Sequence, residues 1–202
     1  MTIIKTIKEI VIQKYLENIT LKKSERSNEI KFELNEEDKL AKCTKAKFKY
    51  LEEENSEIIV YKFDKNEKIT KIHDKLPFFN DLSKLRSMCD FIILYSKNDK
   101  DILYVFLCNL KSDNKGNSND QLNSGEIFSD FIINTAKRYS NDDNIKNIKI
   151  KYQKIVFSSK LLSKGTTKFD KTSKKGKRNY VSKENESQIC DLDIICNEIK
   201  GK

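Results

Sequence analysis

Apolar residues at Ile3, Ile7, Ile10, Val11, Tyr15 and Ile19 recur at the spacing of one helix face, so the pattern predicts an amphipathic helix over residues 3–20. Short stretches with β-like alternation follow at Ile30–Leu34, Ala46–Leu51 and Glu57–Phe63, separated by charged turns, with room for a helical turn over 36–43. Lys71–Leu82 holds the one proline, Pro77, and the one histidine, His73, and reads as loop with a short helix. From Cys89 the pattern sharpens. Asp90–Tyr95 has the continuous apolar character of a buried strand, Ser96–Asp101 is a polar turn, and Ile102–Lys111 is a second apolar strand. A polar loop, Asp113–Asp120 with Gly116, leads to Gln121, where a helical period begins that runs to about Tyr139. Ile148–Ser158 predicts another strand, residues 160–188 are polar and basic, and Ile189–Ile199 predicts a last strand. No internal repeat is visible. The elements suggest one domain over 1–202: an N-terminal helix and strands (1–88), a core (89–158), a basic polar loop (160–188) and a C-terminal strand (189–202).

Composition adjusts this picture in three ways. The hydrophobic share of 37% is low and the charged share of 35% is high, yet 11 Phe, 8 Tyr and abundant Ile supply a core, which excludes a wholly disordered chain. Five cysteines at scattered positions, with no CxxC, argue against a disulfide framework or a structural zinc site. No apolar run reaches the roughly 18 residues that span a bilayer, and lysines interrupt Met1–Ile12, so neither a membrane span nor a signal peptide is expected. A cytoplasmic, reduced protein is the economical reading.

Candidate chemistry lies on the predicted hairpin. Counting outward from the turn sets Asp90 beside Cys108 or Asn109, and strand alternation puts Asn109 and Lys111 on one face. The following helix brings Gln121 to the edge of that cluster. A carboxylate, a second oxygen ligand and a lysine are the parts of a magnesium site that hydrolyses phosphodiesters. Each residue also has a plainer role open to it: Asp90 as the cap of a strand or turn, Lys111 on a solvated face, Gln121 as the start of its helix. Asn109 on an apolar strand is harder to explain plainly, because a buried amide needs hydrogen-bond partners. Cys89 and Cys108 read as small buried hydrophobes, and His73 has no partner for nucleophilic catalysis. No phosphate-cradling glycine loop is present.

At these residues the chain resembles the PD-(D/E)XK nuclease superfamily. Asp90 stands at the family's first acid, Asn109-Leu110-Lys111 at its [DE]-x-K, and Gln121 at its helix glutamine, within a strand–strand–helix–strand order over 89–158. The resemblance implies an α/β fold, a central mixed β-sheet flanked by helices, with the basic polar insertion before the last strand. It implies DNA binding and Mg2+- or Mn2+-dependent phosphodiester hydrolysis, with Asp90 and Asn109 holding the metal, Lys111 activating water and Gln121 orienting substrate. Asn109 replaces the second acid, which weakens or removes that hydrolysis. In some relatives the adjacent helix supplies the missing acid, and Glu126 is the residue placed to do so. Gln121 and Glu126, however, lie about 140° apart on a helix, so both serve the site only if the helix starts after Gln121. The rival reading is a noncatalytic accessory subunit of a prokaryotic anti-phage defence or DNA-processing complex, bound to a larger protein.

The basic segment is a second signal. Residues 160–188 hold nine basic and three acidic residues, +6 of the chain's net +9. Lys174, Lys175, Lys177 and Arg178, with Phe169 and Tyr180 interleaved, are the expected contacts to phosphates and bases. A solvated lysine-rich loop has the same composition. A bare RNA-binding module would explain the charge without using the Asp90 and Lys111 placement.

Overall fold

A computed structural model describes residues 2–11, 13–36, 43–62, 88–97, 101–111, 118–159, 177–181 and 188–200. The expected elements at 36–43, at Lys71–Leu82 with His73, and in most of 160–188 lie outside these residues or largely so.

The central element is β6 (Ile102–Lys111), in which every residue but the last is buried. It pairs antiparallel with β5 (Phe91–Ser96), which pairs antiparallel with β4 (Glu57–Tyr61). On its other side β6 runs parallel to β7 (Lys149–Ser158), and β7 runs parallel to β8 (Lys177–Val181). These make a five-stranded mixed sheet in the order β4-β5-β6-β7-β8. A continuous apolar sequence such as Ile-Leu-Tyr-Val-Phe-Leu-Cys has no polar face to give to water, so both faces of this sheet must be covered.

One face is covered by helices. Ile92, Leu94, Leu103, Val105 and Leu107 pack there with Ile3, Ile4 and Ile7 of α1 (Ile3–Ile10) and Leu122, Ile132 and Ile133 of α2 (Ser118–Tyr139). The short α3 (Asp143–Lys146) adds Ile145 to the same layer. The other face is covered by a second mixed sheet, β1 (Lys22–Lys23), β2 (Glu29–Asn35), β3 (Lys45–Leu51) and β9 (Ile189–Asp191), in that order. In β2 and β3 strict alternation turns Ile30, Phe32 and Leu34, and Ala46, Phe48 and Tyr50, inward while charged residues face out. Phe48 meets Phe157 edge-on at 5.3 Å between ring centroids, and Tyr50 meets Tyr95 at the same separation, so aromatic contacts join the two sheets.

The fold class is α/β, with two mixed sheets flanked by helices rather than the one central sheet expected. Three elements also differ from the pattern reading. The helix expected over 3–20 ends at Ile10, where Val11 turns extended; after a 3-10 turn at Gln13–Tyr15, Leu16 bridges Tyr61 beside β4. The apolar spacing of 15–19 reflects an extended segment docked on a sheet edge. The expected strand 189–199 is three residues of β9 followed by α4 (Leu192–Lys200). Leu192, Ile195, Cys196 and Ile199 are its buried apolar residues, a helical spacing, and the Asp191 carboxylate accepts from the N–H groups of Asp193 and Ile194 to start the helix. Residues 177–181, read as part of a loop, form β8. Among the described residues no helix is long and apolar enough to cross a membrane, and all five cysteines are free and buried.

The seating of α2 turns on Gly125, which lies against Cys89 just ahead of β5. A Cβ there would overlap Cys89 Sγ and touch Leu107 at 3.4 Å. Gly125→Ala should therefore destabilise the protein by about 1–3 kcal/mol through overpacking, despite the roughly 1 kcal/mol that alanine contributes in a helix. Adding Cys89→Ala should recover most of that loss. Urea denaturation of the two single variants and the double variant checks the coupling, and additive losses would show that α2 is not seated on this contact.

Candidate functional site

The hairpin register runs from Ser96↔Leu103 to Phe91↔Cys108, and one further step sets Asp90 opposite Asn109. Leu103, Val105 and Leu107 face the helices, so alternation turns Asn109 and Lys111 to that same face. The first turn of α2 lies over this end of the strand pair.

Asn109 is fully buried in an apolar strand, so each of its polar atoms needs a partner. Its Oδ1 accepts the backbone N–H of Asp90 at 3.1 Å. Its Nδ2 donates to the carbonyl and the hydroxyl oxygen of Ser118, both at 3.3 Å, and to Gln121 Oε1 at 3.2 Å. Two hydrogens reach three acceptors, so at least one bond is shared. Lys111 Nζ also donates to Gln121 Oε1. An ammonium only donates, which fixes the oxygen of Gln121 toward the strand. Asp90 is itself nearly buried, and its Oδ2 accepts the Leu110 N–H at 2.6 Å. Because β5 begins at Phe91, this carboxylate takes a ladder donor for which β5 has no carbonyl. Asp90, Asn109, Lys111 and Gln121 thus come together in one hydrogen-bonded cluster, closed by Ser118.

The surroundings keep the nearby thiols protonated. Burial pushes the Cys89 thiol well above its ordinary range, and the Asp90 charge adds to the effect. Burial likewise raises the Cys108 thiol. Both pack as small apolar groups, as expected.

Other expected site residues lie elsewhere. The helix starts before Gln121, and Gln121 and Glu126 diverge around it. Gln121 meets the strand, whereas Glu126 is paired with Lys154 at 2.5 Å. Glu126 is therefore not brought to Asp90. Arg178, expected to contact nucleic acid, is 6% exposed and faces the inter-sheet core side; its Nε donates to Gln153 at 3.3 Å and its guanidinium pairs with Glu198 at 2.5 Å. It joins β7, β8 and α4. Lys177, its neighbour, is half-buried and donates to Asn119 Oδ1 at 3.2 Å. Lys174 and Lys175 lie outside the described residues. The sequence pattern starts this helix at Gln121, which leaves Ser118 outside the predicted site. A serine opening a helical run was the available signal.

The donor set does not match a resident divalent cation. Mg2+ takes oxygen donors directed at a common point, but the amide oxygen of Asn109 already faces the Asp90 N–H, and Asp90 is the one carboxylate in the cluster among the described residues. No group of three or more His, Cys, Asp or Glu side chains gathers among those residues.

The network predicts the response to restored charge. Asn109→Asp replaces the donating amide with oxygen, opposite the Ser118 carbonyl and Gln121 Oε1, and should destabilise the fold by about 1–3 kcal/mol. Mn2+ should reverse part of that loss in the variant, because the added carboxylate supplies the second negative charge that the native cluster lacks, and should leave the native protein unaffected. Chemical denaturation with and without Mn2+ checks both outcomes. Compared with protein-family models, curated proteins and solved structures, the chain matches none.

Proposed function

We propose that the chain is a DNA-binding protein built on a PD-(D/E)XK-type core, in which metal-dependent phosphodiester hydrolysis is lost or strongly weakened. The observation that carries this reading is the convergence of Asp90, Asn109, Lys111 and Gln121 on one end of a hairpin and its following helix. The parallel return of β7 beside β6 after α2 is compatible with such a core. Loss of hydrolysis follows from the donors. A neutral amide occupies the second acid's position, and Glu126 is paired with Lys154 rather than with the cluster. Asp90 then serves to fix the end of the hairpin, and Gln121 to orient Lys111, whose ammonium meets a phosphate.

Binding and cleavage are measured together. Native protein should retain labelled duplex DNA at low salt and should leave supercoiled plasmid intact with Mg2+ or Mn2+. Lys111→Ala should reduce the log–log salt slope of binding by about 0.9, the value for one phosphate on duplex DNA. Metal-dependent nicking that disappears in Asp90→Ala and Lys111→Ala would restore the nuclease reading. A second reading, a noncatalytic subunit of a larger assembly, is favoured by the exposed apolar residues Ile127, Phe131 and Tyr139 along α2, which are 58%, 67% and 65% exposed. Failure of the native chain to bind DNA even at low salt would favour that reading.

A further inference from the structure

The outward line of α2 complements itself when it is reversed. At about 100° per residue, Asp120, Ile127, Phe131 and Arg138 lie within about 40° of one another around the helix. The buried residues Leu122, Ser129, Ile133 and Ala136 occupy the opposite side. Along the outward line the order is acid, two apolar residues, base, at spacings of 7, 4 and 7 residues, which read the same from either end. Its centre is at Ser129, within one residue of the middle of a helix that runs from Ser118 to Tyr139. Ile127 and Phe131 are 58% and 67% exposed, and side chains four apart on a helix are neighbours. They therefore form a patch rather than scattered single residues.

This order selects a second copy of the chain as the occupant. An α2 laid antiparallel on its twin, about a twofold axis at the level of Ser129, puts Ile127 on Phe131 of the second copy. It also puts Asp120 beside Arg138 of the second copy, and symmetry repeats each contact. A parallel pair would set acid on acid and base on base. The antiparallel pair also brings the positive N-terminal end of each helix to the negative C-terminal end of the other. Asp120 has a contact within its own chain, but a carboxylate offers about four acceptor sites, so a guanidinium at the rim adds to that contact. Charges at the rim fix orientation and register, and the apolar centre supplies the adhesion.

Size sets the strength of the pair. With the axis at mid-helix the two helices overlap over nearly their whole length, about 30 Å at 1.5 Å per residue. A contact about 30 Å long and 10 Å wide covers about 300 Å² on each copy, below the roughly 800 Å² per partner of a standard interface. The pair is therefore weak and forms with rising concentration.

We infer that the chain self-associates through α2 as a twofold antiparallel pair, with Ile127 and Phe131 at its centre and an Asp120–Arg138 contact at each end. The inference does not depend on the DNA-binding reading. It gives the exposed stripe a second copy of this chain as its partner, in place of a different protein. Because the first turn of α2 closes the Asp90 cluster, the pair carries its two clusters at opposite ends of the helix contact.

The test measures the mass of the full chain by sedimentation equilibrium from low to high micromolar concentration. Native protein should rise from 23.7 kDa toward twice that value. Phe131→Asp should raise the dissociation constant at least about tenfold. Ile194→Asp, which puts the same acid at an apolar position 54% exposed on α4, should leave it unchanged. Arg138→Asp and Asp120→Arg should each weaken self-association, because like charges then meet at both ends. An equimolar mixture of those two variants should recover it, because each end again pairs acid with base. Melting curves establish which variants are folded; should Asp120→Arg unfold, the losses in Phe131→Asp and Arg138→Asp, both at exposed positions, carry the test. A native chain that keeps the mass of one copy throughout, or native self-association in Phe131→Asp, overturns the inference and leaves the stripe to a different protein. An equal loss in Ile194→Asp overturns it as general adhesion, and two folded charge variants that fail to recover on mixing overturn the antiparallel pairing.

Discussion

A strand with two buried faces can leave no polar group unanswered, and the architecture follows from that constraint on β6. With nine of its ten residues buried, every backbone group must find a neighbouring strand, and β5 and β7 supply the two ladders. The helices α1 and α2 cover one face and the second sheet covers the other. The amide of Asn109 is the exception in this apolar strand. An unmatched buried amide costs about 1–3 kcal/mol for each group left without a partner, so the first turn of α2 is held where Ser118 and Gln121 can meet it. The polar cluster and the placement of α2 are one requirement seen from two sides.

Charge joins the second sheet to the first. Lys97, at the end of β5, pairs with Asp193 at 2.5 Å and with Glu53 at 3.1 Å. Burial pulls its pKa down, but the bonds to these two carboxylates outweigh it, so Lys97 stays protonated above its ordinary range. Asp193 also accepts the Leu51 N–H at 2.5 Å, which ties the start of α4 to the end of β3. On the outer surface Lys49 pairs with Glu29 and Asp191; bridges exposed to this degree add little stability. Asp193 and Glu53 thus place negative charge at the junction of β3, β5 and α4.

The sequence pattern exposed those parts of the fold that depend on near neighbours. Alternation located β2 and β3, and a turn of known length fixed the β5–β6 register closely enough to set Asp90 against Asn109. What escaped depends on distant partners. Nothing local distinguishes the run at 15–19, docked on β4, from a helix, because its apolar spacing fits both. The short apolar run at 189–199 was equally ambiguous until Asp191 capped α4. Arg178 stands in a basic stretch, and only Gln153 and Glu198, on other elements, reveal that it is buried. The split into two sheets is a property of side chains from both meeting in one core, which no single segment carries.

β9 is the sole parallel partner of β3 among the described residues, and about 140 residues of chain lie between their paired positions, Lys47↔Ile189 to Lys49↔Asp191. In a chain made from its N-terminus at about 5–20 residues per second, β2 and β3 leave the ribosome many seconds before the strand and helix that complete their sheet. During that interval the inward side of Phe48 and Tyr50 has no β9 or α4 beside it. Such long-range closure slows folding and leaves apolar surface open to other chains. The outward lysines of β3, Lys45, Lys47 and Lys49, put like charges on a strand edge that would otherwise template aggregation. Until β9 arrives, β3 is an edge strand, and its alternating lysines are of the kind that disfavours pairing with another chain.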